Sequence, residues 1–355
     1  MKHRYWQIAA LFLALALVAT YPVIRAPASY AYFGHSDAQL NMWIMAWEAH
    51  ALRVDPRNFF NGNIFFPELR TIAYSEVLLG YFPLFAPILW LGGTPALAFN
   101  TVLLTSFVAS GFCMYLLTRH LTGRNWPAVV AGIVYAFLPY RFVHIPQIQL
   151  EAMEWLPLAF LFLHLFVERG SPRYAAGLVV AIVFGTLCCV YYGVFMATAL
   201  IIAVPLLAVI EQRAREVRKL ATLAAVAAIA ALILTPVFLQ YVRVNRTLGL
   251  ERSIEEITLR SADLDAYLSS TAPIHQALGR PLLPPPNDFL FPGVVALCLA
   301  GIGVLAVARR PVAALYLAVA ACGLLASLGP RGLYGVSMYQ LLYTIGPMFR
   351  GLRQV

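Results

Sequence analysis

The chain has 355 residues, of which 61% are hydrophobic and only 12% are charged. Soluble domains carry about 25% charged residues, so a soluble fold, a disordered chain and a coiled coil are excluded, and a polytopic all-α membrane protein remains. The net charge of +9 is therefore interpreted as membrane topology, and no nucleic-acid partner is expected.

Nine apolar runs are long enough to predict transmembrane helices, each of which needs about 20 residues. They lie at 6–24, 96–118, 126–143, 153–167, 174–190, 194–210, 220–241, 289–308 and 312–328. A tenth run, 77–92, is also short, contains Pro83 and Pro87, and ends at Gly92-Gly93. We expect it to lie in the interface or re-enter the bilayer without crossing, because its prolines interrupt helical hydrogen bonding.

The basic residues predict the orientation of these helices. With the N-terminus in the cytoplasm, the inside segments are 1–5, 119–125, 168–173, 211–219 and 309–311, and they hold 12 of the 25 basic residues in 30 positions. Counting 77–92 as a span would place most of these loops outside, against the positive-inside rule. The sequence thus predicts a single transmembrane domain over 1–355 in a bacterial cytoplasmic (inner) membrane, with its first helix retained as an anchor.

Four segments remain on the external side, at 25–95, 142–152, 242–288 and 329–355, and all but the second are long. The last of these is expected to be a truncated tail. Because long loops in compact proteins are usually functional, we expect the functional site at the outer membrane face.

The first external loop, 25–95, opens with a predicted helix. Ser36 and Gln39 fit a capping box at its start. The helical periodicity separates two sides, with Leu40, Trp43 and Trp47 on one and Asp37, Asn41 and Glu48 on the other. This pattern predicts an amphipathic helix along the membrane, with its tryptophans in the interface.

Asp37 falls in the first turn of that helix, where the helix dipole favours a negative charge. A carboxylate at the membrane surface is suited to act as a general base. The alternative is an ordinary first-turn aspartate on a surface helix.

The second external loop, 142–152, is short, so it must lie close to the first. Arg141 and His144 could hold a phosphate, and Gln147, Gln149 and Glu151 could bind hydroxyl groups. The alternative is that Arg141 extends towards the membrane surface beside a solvated turn.

The third external loop, 242–288, contains Asp263 and Asp265. A pair of carboxylates can ligate a divalent cation, but two ligands are a weak signal, so no cofactor and no metal are predicted and a divalent cation stays open. The proline-rich stretch 281–286 follows.

The arrangement of these features resembles the GT-C glycosyltransferases, and within that superfamily bacterial YfhO-like and related polytopic membrane proteins. The matching stretches are 34–37 (GHSD), 63–67 (NIFFP), 74–76 (YSE), 115–123 (YLLTRHLTG), 138–141 (LPYR), 261–264 (SADL) and 349–353 (FRGLR). The likeness runs along the whole chain.

The resemblance implies a sugar transfer from a polyprenyl-phosphate donor to an envelope glycan, lipid or protein. It implies that Asp37 is the catalytic base and that a second acid comes from Glu151 or Glu154. The substrate-binding residues that we expect are Glu76, Arg70, Arg141, His144, Gln149 and Glu151. Membrane lipid is the other expected partner, and the oligomeric state is left open.

Two further functions fit the same apolar chain with polar outer loops. One is a transporter or flippase for lipid or polysaccharide, and the other is a non-enzymatic scaffold for envelope assembly. An internal repeat would favour a transporter, and the sequence shows none.

The topology is testable by cysteine accessibility. A single cysteine at Thr122 in the inner segment 119–125 should be unreactive towards a membrane-impermeant thiol reagent in intact cells and reactive after lysis. Labelling from outside would contradict the orientation.

Overall fold

The computed structural model describes residues 2–30, 35–249, 253–272, 275, 289–307, 310–332 and 337–345. Within these ranges the chain forms α-helices and 3-10 turns and no β-strand. The α-helices are α1 (Lys2–Ala19), α2 (Ser36–Val54), α3 (Phe82–Trp90), α4 (Pro95–Thr122), α5 (Asn125–Ala136), α6 (Pro139–His144), α7 (Trp155–Arg169), α8 (Pro172–Cys188), α9 (Val190–Ile210), α10 (Val217–Leu248), α11 (Ile254–Arg260), α12 (Val294–Val307), α13 (Pro311–Ser327) and α14 (Met338–Ile345). The proline-rich stretch 281–286 and the motif at 349–353 lie outside the described residues.

Five helical stretches are long and apolar enough to cross a membrane. They are Pro95–Thr122, Asn125–His144, Ile148–Arg169, Val190–Ile210 and Val217–Leu248, and they coincide with five of the nine predicted spans. The predicted spans 6–24, 174–190, 289–308 and 312–328 correspond to apolar helices of 10–17 residues. A 17-residue helix is about 25 Å long, somewhat less than a hydrocarbon core of about 30 Å.

The chain divides into two compact units. The first contains residues 1–137, 144–193 and 218–247, and the second contains 138–143, 194–217 and 248–355. Each is described by itself below.

Helix α4 is the centre of the first unit, because α1, α2, α3, α5 and α7 all pack against it. Helices α4 and α5 approach closely at Gly111 and Gly132, where the ring of Phe12 from α1 fills the space that side chains would occupy. Phe12 is fully buried there. Small residues thus allow three helices to meet at one point, as is common between membrane helices.

One end of the first unit carries its basic residues. The guanidinium of Arg119 lies 5.2 Å from the centroid of the Tyr5 ring. His120 Nε2 lies 2.9 Å from Glu168 Oε1, and Lys219 Nζ donates to the carbonyl of Val167 at 2.8 Å. Residues that the sequence places inside therefore meet at one end of this unit, which we call the basic end: Tyr5, Arg119, His120, Glu168 and Lys219.

The opposite end, which we call the loop end, gathers segments that the sequence places outside. Asn100 Nδ2 donates to the carbonyl of Pro27 at 2.9 Å. The hydroxyl of Tyr241 on α10 donates to the carbonyl of Ser75 at 2.9 Å and accepts from the N–H of Val77 at 3.1 Å. This sorting of the helix ends agrees with the alternation of inside and outside segments along this unit.

The apolar run 77–92 returns to the end at which it starts. It forms a 3-10 turn at Leu79–Tyr81 followed by α3, which has only nine residues. Val77 is bound at the loop end by Tyr241, and Thr94, just after the run, donates to the carbonyl of Ala28 at the same end. Both ends of the run therefore lie at the loop end, and the absence of a membrane crossing stays a prediction.

Helix α2 begins where the sequence predicts, but not with the predicted cap. Ser36 is already inside the helix, and His35 occupies the N-cap position but its side chain makes no capping hydrogen bond. The capping box of Ser36 and Gln39 is therefore wrong, although the helix start is right.

The two sides of α2 make different contacts within the protein. The polar side faces the protein, with Asn41 3% and Glu48 0% exposed. The tryptophans are held by the following loop, since Trp43 Nε1 donates to Asn63 Oδ1 at 3.1 Å and Trp47 Nε1 donates to the carbonyl of Phe59 at 2.9 Å. Their indole N–H groups are thus used within the protein.

In the second unit, the third external loop packs on the end of α13. Ala262 N–H donates to the carbonyl of Ser327 at 3.1 Å, and the hydroxyls of Tyr267 and Ser327 lie 2.6 Å apart. Two loop segments that are distant in sequence are therefore fixed to each other within this unit.

The packing point in α4 and α5 predicts a stability effect. A Cβ at Gly132 would lie 2.6 Å from the Gly111 carbonyl oxygen and 2.6 Å from Cζ of Phe12. Gly132→Ala should therefore destabilise the protein by about 1–3 kcal/mol, because a backbone carbonyl cannot move aside. Gly301→Ala on α12 is the control, since no atom lies within 4 Å of its Cβ position. Unfolding of the detergent-solubilised protein measures both, and an equal effect would contradict the assignment.

Candidate functional site

The first and second external loops meet at Asp37. Gln147 Nε2 donates to Asp37 Oδ2 at 2.8 Å. Asp37 stands in the first turn of α2 and remains partly exposed. The expected contact between the two loops is therefore present, and it involves the carboxylate that the sequence selects as a base.

One turn further along α2, Asn41 continues the same contact. Its Nδ2 donates to the carbonyl of Pro146 at 3.2 Å and to Gln149 Oε1 at 3.0 Å. Asn41 is almost fully buried, and Gln149 is partly exposed. Gln149, a predicted substrate-binding residue, thus has its side-chain oxygen engaged by α2.

The backbone of the second loop is held from two further elements. Tyr81 donates from its hydroxyl to the carbonyl of Ile148 at 3.2 Å, and Tyr192 on α9 donates to the carbonyl of Leu150 at 2.6 Å. Because buried carbonyls need hydrogen-bond donors, these two hydroxyls fix the conformation of the 3-10 turn Ile148–Glu151.

The charged residues of the second loop are buried rather than solvated. Arg141 and Glu151 are both 0% exposed, and His144 is 8% exposed. The alternative of a solvated turn with Arg141 reaching towards the membrane surface is therefore wrong. Glu154, the other candidate for a second acid, is also buried and accepts a hydrogen bond from the Ser110 hydroxyl at 3.3 Å.

Arg70 is held by its backbone. It has a left-handed conformation with φ of 59°, and its N–H donates to Asn61 Oδ1 at 3.0 Å. Its side chain is partly exposed. The structure fixes the position of Arg70 in the first loop but brings it into no described contact with Asp37.

The carboxylate of Glu76 binds the N-terminus of α9. Its Oε2 accepts from the N–H of Val190 at 2.8 Å, and the thiol of Cys189 lies 3.9 Å from its Oε1. Desolvation by the surrounding protein raises the pKa of Glu76 from 4.5 to about 7, and hydrogen bonds from the backbone N–H groups of Val190 and Tyr191 lower it in part. A carboxylate at a helix N-terminus satisfies free N–H groups, so Glu76 has a structural partner at the start of α9, and its contact with substrate stays a prediction.

Glu48 is the residue that sequence reasoning missed. It is 0% exposed, and neither carboxylate oxygen makes a hydrogen bond of normal geometry. Burial raises its pKa from 4.5 to about 8, and the nearby backbone of Leu78 lowers it only in part. Glu48 is therefore protonated at neutral pH. Its seven-residue spacing from Asn41 puts both side chains on the same side of α2. This shared side was the signal in the sequence that linked Glu48 to the site residues.

The acidic residues Asp37, Glu48 and Glu76 of the first loop lie in two separate places. Eleven residues of helix, about 16 Å, separate Asp37 from Glu48, and Glu48 lies beside the segment that follows Glu76. The hydroxyl of Tyr241 is within electrostatic range of both Glu48 and Glu76. The structure therefore groups Glu48 with Glu76 and groups Asp37 with Gln147.

The aspartate pair of the third loop has a local role. Asp263 Oδ1 accepts from the N–H of Ala266 at 2.8 Å and stabilises the 3-10 turn Ala266–Leu268. Across the described ranges, no group of three or more His, Cys, Asp or Glu side chains could hold a metal ion.

The family described as "Domain of unknown function (DUF6311)" matches residues 10–350. The chain belongs to the DUF6311 family. Comparison with curated proteins and with solved structures gives no match. The matched range contains Asp37, Glu48, Glu76 and the second external loop, so both acidic groups belong to the DUF6311 domain.

The two raised pKa values predict how stability depends on pH. The folded protein retains the Glu48 proton up to about pH 8, whereas the unfolded chain loses it near pH 4.5. The stabilising contribution is complete below pH 4.5 and is lost as the pH rises to about 8. The slope per group is at most about 1.4 kcal/mol per pH unit. Glu76 acts in the same direction, up to about pH 7.

Glu48→Gln mimics the protonated side chain, so it should flatten this dependence, most visibly between pH 7 and 8. Unfolding of the detergent-solubilised protein across this range measures the slope. Glu68→Gln is the control, because Glu68 is an exposed carboxylate in the same loop. Identical slopes for wild type and Glu48→Gln would contradict the buried, protonated state.

Proposed function

We propose that this protein is a GT-C-type inverting glycosyltransferase that transfers a sugar from a polyprenyl-phosphate donor to an envelope acceptor. The observation that carries the proposal is the hydrogen bond from Gln147 to Asp37. It joins the two external loops at the one carboxylate that the resemblance selects as the catalytic base.

The proposed chemistry uses the two oxygens of Asp37 differently. Gln147 donates to Oδ2 and fixes the carboxylate plane, and Oδ1 receives the proton of the acceptor hydroxyl. The acceptor oxygen then attacks the anomeric carbon as the bond to the polyprenyl phosphate breaks. A general base in this position accounts for a rate factor of about 10²–10⁴.

The departing phosphate needs cationic stabilisation. Arg141, His144 and Arg70 are the cations that we propose for this role. Gln149, Glu151 and Glu76 are the other proposed substrate-binding residues. Arg141 is fully buried, so a donor phosphate would reach it only if the residues around it move. An arginine offers several N–H donors in a geometry suited to phosphate oxygens.

The proposed membrane arrangement has nine spans with the N-terminus in the cytoplasm of a bacterium. Its support is the sorting of inside segments to the basic end and of outside segments to the loop end of the first unit. Asp37 would then face the outer side of the cytoplasmic membrane, where a lipid-linked donor is reached from the bilayer.

Asp37→Asn tests the base directly. The substitution keeps the acceptor for the Gln147 N–H but removes the charge, so turnover should fall by about 10²–10⁴-fold. The assay is incubation of the purified protein with polyprenyl-phosphate sugars and measurement of released polyprenyl phosphate. A protein that flips lipid without transfer releases none.

Asp55→Asn is the matched control. Asp55 is an exposed aspartate just beyond the other end of α2, with a local hydrogen bond from Asn58. It should retain near wild-type turnover. Gln147→Ala should lower turnover less than Asp37→Asn, because it loosens the carboxylate without removing it. Near-normal transfer by Asp37→Asn, or no released product with any donor from the wild type, would contradict the proposal.

A further inference from the structure

The first loop carries an apolar tip that the site does not use. Residues 64–69 contain three strongly exposed apolar side chains, Phe65 at 62%, Phe66 at 97% and Leu69 at 59%. We call residues 64–69 the aromatic tip. Large apolar side chains grouped at the surface usually mark a contact with a partner or a membrane.

The base of the tip is fixed on both sides, where the chain enters the tip and where it leaves it. On the first side, Asn63 is bound by Trp43 and Phe59 by Trp47, as described above. On the second side, Ile72 N–H donates to the carbonyl of Phe60 at 3.2 Å, and Thr71 Oγ1 donates to the carbonyl of Gly62 at 3.2 Å. The tip therefore projects from a base that both α2 and the loop itself hold in place.

The backbone within the tip is held in an unfavourable conformation. Phe65 has a φ of 60°, a left-handed value that is rare for a bulky residue. Its ring stacks on that of Tyr74, with centroids 6.0 Å apart, while Phe66 next to it is left almost fully exposed. Strained residues of this kind persist where the surrounding structure holds them and are associated with function.

The size of the patch favours lipid over protein as its partner. From their exposed fractions, the three side chains offer roughly 400 Å², whereas a stable protein interface buries about 800 Å² on each partner. A bilayer needs no such matched area, because every apolar group that enters it is removed from water. The patch is thus too small for a stable dimer but sufficient for shallow insertion.

The chemistry around the patch agrees with a lipid surface. Arg70, which directly follows the tip in the chain, is partly exposed. Apolar and aromatic side chains with arginines at their border are typical of segments in the membrane interface. The chain also has five helices suited to cross the same membrane, which keeps the loop close to it.

We infer that the aromatic tip inserts into the outer surface of the lipid bilayer and anchors the first loop there. Trp43 and Trp47, which the sequence predicts to lie in the interface, hold the base of the same loop through their indole N–H groups. The inference concerns lipid contact, and it stands or falls independently of any glycosyl transfer.

The test places an environment-sensitive fluorophore on a cysteine at Phe66. The background carries Cys113→Ala and Cys298→Ser, because the other three cysteines are buried. The protein is reconstituted into phosphatidylcholine and phosphatidylglycerol vesicles. Nitroxide on the lipid acyl chain near the headgroup should quench the label, and iodide in the water should quench it at least about fivefold less than a label at Asn58.

Asn58 is the matched control because it is an exposed residue in the same loop, ahead of the fixed base. Adding Phe65→Ser and Leu69→Ser to the Phe66 label should restore iodide quenching towards the Asn58 value. Equal iodide quenching at both positions without nitroxide quenching would place the tip in water and overturn the inference. Energy transfer between labels on two copies, in place of lipid quenching, would assign the tip to a second copy and overturn it as well.

Discussion

The loop end of the first unit depends on the need of buried carbonyl groups for hydrogen-bond donors. The second external loop runs through protein, and its carbonyls at 146, 148 and 150 accept from Asn41, Tyr81 and Tyr192. These donors come from α2, from the segment before α3 and from α9. A single short stretch of backbone therefore fixes three elements that are far apart in sequence, and the position of Asp37 follows from this arrangement.

The elements themselves were largely predictable, because long apolar runs allow few alternatives to a helix. Five of the predicted spans correspond to helices long and apolar enough to cross a membrane, with ends up to seven residues from those predicted, and the run 77–92 contains a helix of only nine residues. The number of spans is harder to derive, since the structured part of the shorter helices falls just below the thickness of a bilayer. Proximity of Asp37 to the second loop was also derivable, because that loop is too short to extend far.

Side-chain roles were less predictable, because they depend on contacts that form only in the folded chain. Periodicity grouped Asn41 and Glu48 with Asp37, but it could not show that this side of α2 would be buried. Glu76 matched a family motif and was expected to contact substrate, but the motif could not show that its carboxylate binds the N-terminus of a helix that begins 114 residues later. Likewise, nothing near Trp43 in the sequence indicates that Asn63 returns to accept from its indole.

The tether at Tyr241 has a consequence for how the protein is made. Its hydroxyl binds the backbone on both sides of Glu76, and 164 residues separate Tyr241 from Val77. At synthesis rates of about 5–20 residues per second, the first loop emerges roughly 8–33 s before the residue that locks it. During biogenesis, the carboxyl groups of this loop therefore pass through a period without their final neighbours.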